Sequence, residues 1–245
     1  MLQACLNGGR TRAEAPGVPL TAKELAADAV AVRKAGAQEL HIHPRNIAGA
    51  ETLAPAEVAA ALKAIRATVP KMKIGLGTGA WISPGGKKRH AHLQAWEELP
   101  DYVSVNMNEP DAAEVITMMH TRGVGIEAGV WSMADVKRLC REILKTSVMR
   151  VLIEMPDIPG PAARTEAARC IEALRARGMR APILLHGQDQ SAWSMVIEAA
   201  RVGHDTRIGF EDVLDLPGGT PAPDNAALVA CARDLIDHTT RDITG

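Results

Sequence analysis

The sequence predicts a (β/α)8 barrel, and three observations predict it. Eight short β-rich runs alternate with amphipathic, alanine-rich stretches from one end of the chain to the other. The length of 245 residues is close to the minimum that eight βα units need. Polar residues within the β-rich runs share one parity, as they must when one strand face packs on helices and the other looks into a lumen.

The runs are 2–7 (LQACLN), 39–44 (ELHIHP), 73–78 (KIGLGT), 102–107 (YVSVNM), 125–130 (GIEAGV), 149–155 (MRVLIEM), 181–187 (APILLHG) and 206–212 (TRIGFED). The first intervening helix opens with Thr21 and Glu24 in the spacing of a capping box, then places Leu25, Ala29 and Val32 near one face. Further helices are expected to begin near Pro55, Pro110, Ser132, Pro161, Gln188 and Pro223, four of them at the proline that a helix start favours. The stretch 87–98 is the least helix-like, because Lys87, Lys88, Arg89 and His90 crowd its first turn. An open doubly wound sheet competes with the barrel, but Asn7-Gly8-Gly9-Arg10 after the first run is not a dinucleotide fingerprint. With no linker or composition shift, residues 1–245 read as a single barrel domain.

Composition narrows the function classes. The chain is 47% hydrophobic, with a net charge of −1 and only four Trp, one Tyr and one Phe. That leaves neither a basic footprint nor stacking platforms for nucleic acid, and no charge for an anionic membrane surface. No apolar run reaches the roughly 18 residues of a membrane span, and MLQACLNGGR lacks the form of a signal peptide. Cys5, Cys140, Cys170 and Cys231 show no metal or disulfide spacing. A reduced, cytoplasmic protein is expected.

The chemistry gathers at strand ends, where barrel enzymes keep their sites. His41 and His43 are two apart, so both imidazoles share a strand face, close enough to share a metal. Glu211 ends the eighth run, and in a closed barrel the second and eighth strands flank the first. Two imidazoles and one carboxylate leave coordination positions open, the pattern of a catalytic site rather than a structural one; two hydrogen-bonded lumen histidines are the alternative. Arg207, inward of Glu211, could neutralise a carboxylate or hold an anion. Asp212 could serve as general base, or could form an ion pair or helix cap. Glu127, Glu154, Asn106 and Asn108 end the middle strands, where they could bind substrate, move protons or pair with one another. His186 is a substrate contact or a core histidine. Gly75, Gly77 and Gly79 would let backbone approach a ligand, with Thr78 offering its hydroxyl at the rim. The remaining histidines are expected on the surface, and the tract from Lys87 to His90 is a phosphate-attracting patch or a solvated helix start.

Taken together, the Asn7-Gly8 turn, the VPLT segment at 18–21, the block GAQELHIHPR at 36–45 and RIGFED at 207–212 resemble the β-keto acid cleavage enzymes. The resemblance runs through nearly the whole chain and implies a barrel of the kind the strands predict. It implies an acyltransferase that condenses a β-keto acid with acetyl-CoA and releases acetoacetate and an acyl-CoA by retro-Claisen cleavage. It further implies one zinc on His41, His43 and Glu211, with Asp212 as base and Arg207 beside it, in a homo-oligomer. Asn7, Arg10, Asn106, Asn108 and His186 would contact substrate, and Thr78 and Glu127 would complete the catalytic set.

Departures from the family pattern shape this expectation. An acidic residue that contacts a substrate amino group aligns near Arg10, with the charge reversed. A catalytic serine aligns with Gly77, leaving Thr78 as its substitute, and a fifth-strand carboxylate aligns with Gly129 rather than Glu127. Short loops after strands three, five and six bear on the coenzyme pocket. Two other readings remain: a metal-dependent hydrolase of the amidohydrolase kind, in which the histidine pair lies on the first strand, and a metal-binding barrel without CoA chemistry.

Overall fold

The computed structural model describes residues 1–143 and 148–244, the last three of these by backbone alone. Its eight strands are β1 (Leu2–Cys5), β2 (Glu39–Ile42), β3 (Lys73–Gly77), β4 (Tyr102–Asn106), β5 (Gly125–Val130), β6 (Arg150–Met155), β7 (Ile183–Gly187) and β8 (Thr206–Ile208). All pair in parallel in the order β7-β6-β5-β4-β3-β2-β1-β8. The ring closes where Leu184 bridges Asp205 and the Leu185 amide donates to the Asp205 carbonyl at 2.9 Å. The helices are α1 (Ala22–Lys34), α2 (Pro55–Thr68), α3 (Arg89–Gln94), α4 (Ala112–Thr121), α5 (Met133–Glu142), α6 (Gly160–Ala176), α7 (Ala192–Val202) and α8 (Asn225–Thr244), one after each strand. This is the (β/α)8 barrel.

Local chemistry sets the helix starts. Thr21 and Glu24 form the reciprocal capping box at α1, and the Ser132 hydroxyl accepts from the Asp135 amide at α5. Pro55 opens α2, where a missing N–H costs nothing. Leu40 and Ile42 of β2 are fully buried in the same apolar cluster as Leu25, Ala29 and Val32 of α1 and Leu62 and Ile65 of α2. Each such aliphatic side chain contributes about 1.5–3 kcal/mol through burial. No helix among the described residues is long and apolar enough to cross a membrane.

Two elements fall furthest short of what the sequence suggests. β8 stops at Ile208, because the next amides leave the ladder: Phe210 N–H donates to the Asn225 side chain at 2.6 Å, and Asp212 N–H to the Gly209 carbonyl at 2.9 Å. Glu211 and Asp212 therefore stand on a turn. The stretch 87–98 yields a 3-10 turn and the six-residue α3. Its basic residues are mostly consumed within the fold: Arg89 is fully buried against Glu109 and Asp111, His90 meets Asp111 at 2.7 Å, and Lys87 meets Glu114 at 2.6 Å.

At the N-terminal end of the lumen, polar side chains form a closed layer. Arg150 lies between Glu127 and Glu39, and Gln3 donates to Glu127 at 3.0 Å and to the Tyr102 hydroxyl at 2.8 Å. The guanidinium also sits 5.0 Å from the Tyr102 ring centre, within cation–π range. The site opens at the other end.

Candidate functional site

His41 occupies the inward parity of β2, and His43 lies just beyond the strand. Asn7 fixes the latter: its side-chain oxygen accepts from the His43 amide at 2.9 Å, and its amide donates to the His43 carbonyl at 2.8 Å. Two glycines make room for the cluster. A Cβ on Gly8, whose φ of +47° already favours glycine, would lie 2.3 Å from Cγ of Glu211. A Cβ on Gly77 would lie 2.3 Å from Nε2 of His43. The serine expected by family analogy at Gly77 thus has no space here.

The two Nε2 atoms are 3.0 Å apart, and the Glu211 carboxylate reaches 3.7 Å from His41 Nε2 and 3.8 Å from His43 Nε2. Among the described residues, only His41, His43 and Glu211 bring three metal-ligating side chains into such a group, with the atoms all within 4.8 Å. Burial pulls the His41 imidazole down to about 3, so its ring is neutral and able to ligate. Burial alone would raise the Glu211 carboxyl, but Arg207 and the two imidazoles hold it well below the usual carboxylate range. The Glu211 Oε2 has no hydrogen-bond partner. His43 Nδ1 is engaged by Glu51 at 2.5 Å, the carboxylate–histidine arrangement that orients a metal-bound ring. These residues fit a divalent cation with two nitrogen ligands and one oxygen ligand.

Arg207 is fully enclosed and donates to Glu211 at 2.9 Å and to Asp212 at 2.8 and 3.2 Å. Burial opposes ionisation of Asp212, yet Arg207 and His186 overcome it and hold this carboxyl far below its ordinary value. Cys5 donates to the same carboxylate at 3.1 Å, and burial raises its thiol well above the usual range. Together Glu154, Glu211 and Asp212 bring three carboxylates against one guanidinium.

Above the cluster lies a cavity of about 190 Å³. His41, His43, Arg207 and Glu211 wall one side, and Ser104, Asn106, Trp131, Leu152, Glu154 and Gln188 complete it beneath Trp81. Of the residues singled out in the sequence, the structure brings His41, His43, Gly77, Gly79, Asn106, Glu154, Arg207 and Glu211 to this wall. Asn7, Asp212 and His186 stand directly behind it, through His43 and Arg207. The others lie elsewhere. Glu127 is in the layer at the opposite end; the Thr78 hydroxyl is turned onto the Ser104 carbonyl at 2.7 Å; Asn108 is exposed on the turn after β4. Arg10 pairs with Asp189 at 2.7 Å and Glu14 at 3.3 Å, at the mouth.

Sequence reasoning missed Glu51, Gln188 and the two tryptophans. It also missed the brace in which Arg89 holds Glu109 at 2.7 Å while Glu109 accepts from the Asn106 amide at 3.3 Å. Only Glu51 carried a usable signal, a carboxylate eight residues after a histidine pair.

The fold and site thus define a (β/α)8 barrel with a two-histidine, one-carboxylate cluster at the C-terminal ends of its strands. The chain belongs to the beta-keto acid cleavage enzyme family, whose model matches residues 1–245. Among solved structures it resembles apo ObcA (18% identity, TM-score 0.72, 89% of this chain and 61% of that one). It also resembles the ternary complex of ObcA with a C4-CoA adduct and oxalate (18%, TM-score 0.74, 93% and 66%). The 3-dehydroquinate dehydratase from Aquifex aeolicus VF5 shares the fold at 12% identity and a TM-score of 0.61, over 98% of this chain and all of that one. The chain spans 61–66% of the ObcA chains.

Proposed function

We propose that this protein is a zinc-dependent acyltransferase that cleaves a β-keto acid with acetyl-CoA, forming acetoacetate and a new acyl-CoA. The observation that carries this reading is the convergence of His41, His43 and Glu211 beside Arg207 on the wall of a cavity, in a chain of this family. Support for a CoA thioester comes from ObcA, whose complex contains a C4-CoA adduct. A zinc ion on the three ligands would polarise the ketone of a chelated β-keto acid and stabilise the negative charge that deprotonation leaves.

The chain's own residues supply the rest. Neutral His41 is free to ligate, and Glu51 holds the His43 ring so that Nε2 points inward. Asp212 is the base in this reading. Its low proton affinity is set by Arg207, so a substrate carboxylate competing for that guanidinium would raise the basicity of Asp212 when it is needed. Asn106, held by the Glu109 brace, lines the cavity as a hydrogen-bond donor and acceptor for the keto acid. Trp81 and Trp131 narrow the water-accessible opening. The catalytic unit is a homo-oligomer by family resemblance, and sedimentation of the purified protein tests that part.

The test of the reaction is a panel of β-keto acids offered with acetyl-CoA to zinc-replete protein, with acyl-CoA products followed by mass spectrometry. Formation of acetoacetate and the matching acyl-CoA from at least one acid is expected. No product from any acid would return the assignment to a metal-binding barrel without CoA chemistry.

A further inference from the structure

The cavity holds a carboxyl group that the proposed chemistry does not use. Glu154 ends β6, lines the cavity, and has a side chain only 8% exposed. Its Oε1 accepts from the Gln188 amide at 2.6 Å, whereas its Oε2 accepts no hydrogen bond from the described residues. On the adjacent strand, at the paired register position, stands His186, fully buried, with Nε2 lacking a partner and lying 3.7 Å from Glu154 Oε2. That separation is too long for a direct hydrogen bond, so His186 stands behind Glu154 without pairing with its Oε2. A carboxylate oxygen left unpaired at a cavity wall calls for a ligand atom or a water.

We infer that Glu154, backed by His186 and oriented by Gln188, is a subsite selecting β-keto acids whose chain beyond the ketone carries an O–H or N–H donor. The inference rests on the function proposed above and names its substrate class. Charge points the same way. The cavity's one guanidinium, Arg207, is already shared between Glu211 and Asp212, so a second carboxylate on the substrate would meet Glu154 without a counter-charge. Arg10, the cation that sequence alone placed near substrate, is occupied by Asp189 and Glu14 outside the cavity wall. A purely apolar substituent would leave Glu154 Oε2 desolvated and unpaired, which disfavours it. A hydroxyl or an ammonium can each donate to Glu154 Oε2.

The test uses zinc-loaded protein and β-keto acids of equal length ending in hydroxymethyl, ammoniomethyl, methyl or carboxylate. Binding is read from tryptophan fluorescence, to which the cavity-lining Trp81 and Trp131 contribute, and from KM against kcat, in wild type and Glu154→Leu, with zinc content checked in both. Either donor-bearing acid should bind about tenfold or more tightly than the methyl acid in wild type. The difference should fall to about twofold in Glu154→Leu, with zinc content retained. The hydroxyl and ammonium arms then identify which donor the subsite takes. Equal affinity across the panel in wild type, or an undiminished preference in Glu154→Leu, would overturn the subsite while leaving the reaction intact. If none of the acids, the methyl acid included, binds or turns over, the failure lies in the proposed function itself.

Discussion

The two ends of the barrel lumen are built from the same residue types and behave oppositely. At the N-terminal end Glu39 and Glu127 flank Arg150, with Lys73 3.8 Å from Glu39, so two carboxylates meet two cations. At the C-terminal end Glu211 and Asp212 share Arg207, with Glu154 close by, and a cavity of about 190 Å³ remains. Ionisable groups in a lumen therefore do not mark a site by themselves. What marks it is a convergent set of ligand atoms that faces open space.

Breaking the C-terminal set should have the largest effect. His41→Ala removes a ligand that nothing nearby replaces, and elemental analysis should fall from about one zinc per chain to below about a tenth of that. Circular dichroism should stay unchanged, because the ring belongs to a cavity wall rather than the apolar core. Full metal retention would sink the assignment of the ligands.

Breaking the N-terminal set should do the reverse. Arg150→Leu leaves Glu39 and Glu127 buried without their shared cation and should lower unfolding stability by about 3–5 kcal/mol. Zinc content of the fraction that remains folded should be unchanged. Loss of metal in step with stability would show that the two ends are not independent.

A smaller effect sharpens the boundary of the metal set. Glu51→Gln keeps the shape that meets His43 Nδ1 but removes the charge, and zinc affinity measured by chelator competition should weaken about 10–100-fold. An unchanged affinity would make Glu51 a loop residue only.

How far the sequence reveals these two ends follows from what parity can and cannot say. Alternation correctly turns His41, Glu127, Glu154 and Arg207 inward, and the run RIGFED brings Glu211 beside the histidines. Parity carries no information on depth. Depth along the barrel axis depends on strand tilt and stagger, which is why Glu127 and Glu154 look alike in sequence and lie at opposite ends. The chain also does not reveal that Arg10 meets Asp189, 179 residues away, or that the Thr78 hydroxyl turns to β4. These depend on how the loops fold over the mouth. The fold was legible from periodicity alone. The histidine pair was legible as one face of a strand because its spacing is local, whereas Glu51, Gln188 and the Arg89 brace act through loops whose path no period encodes.

The smallest effect lies outside the lumen and tests whether burial leaves a charge uncompensated there as well. Burial pushes the Asp28 carboxyl up to about 6, with Asp224 adding to the rise and the Asn225 amide, at 2.7 Å, opposing it. The folded chain therefore binds this proton more tightly than the unfolded chain, where the group titrates near its ordinary value of about 3.9. The stabilisation is fully present below about pH 4 and is lost as pH rises from there through about 6. Asp28→Asn keeps an acceptor for Asn225 and removes the ionisation. It should be more stable than wild type by about 1–2 kcal/mol at pH 7, with the gain shrinking toward pH 4 in denaturant titrations. A gain that did not vary with pH would mean that the carboxylate is solvated as freely in the folded chain as in the unfolded one. Asp28 would then be a surface charge, and imbalance of the kind seen around Arg207 would be confined to the cavity.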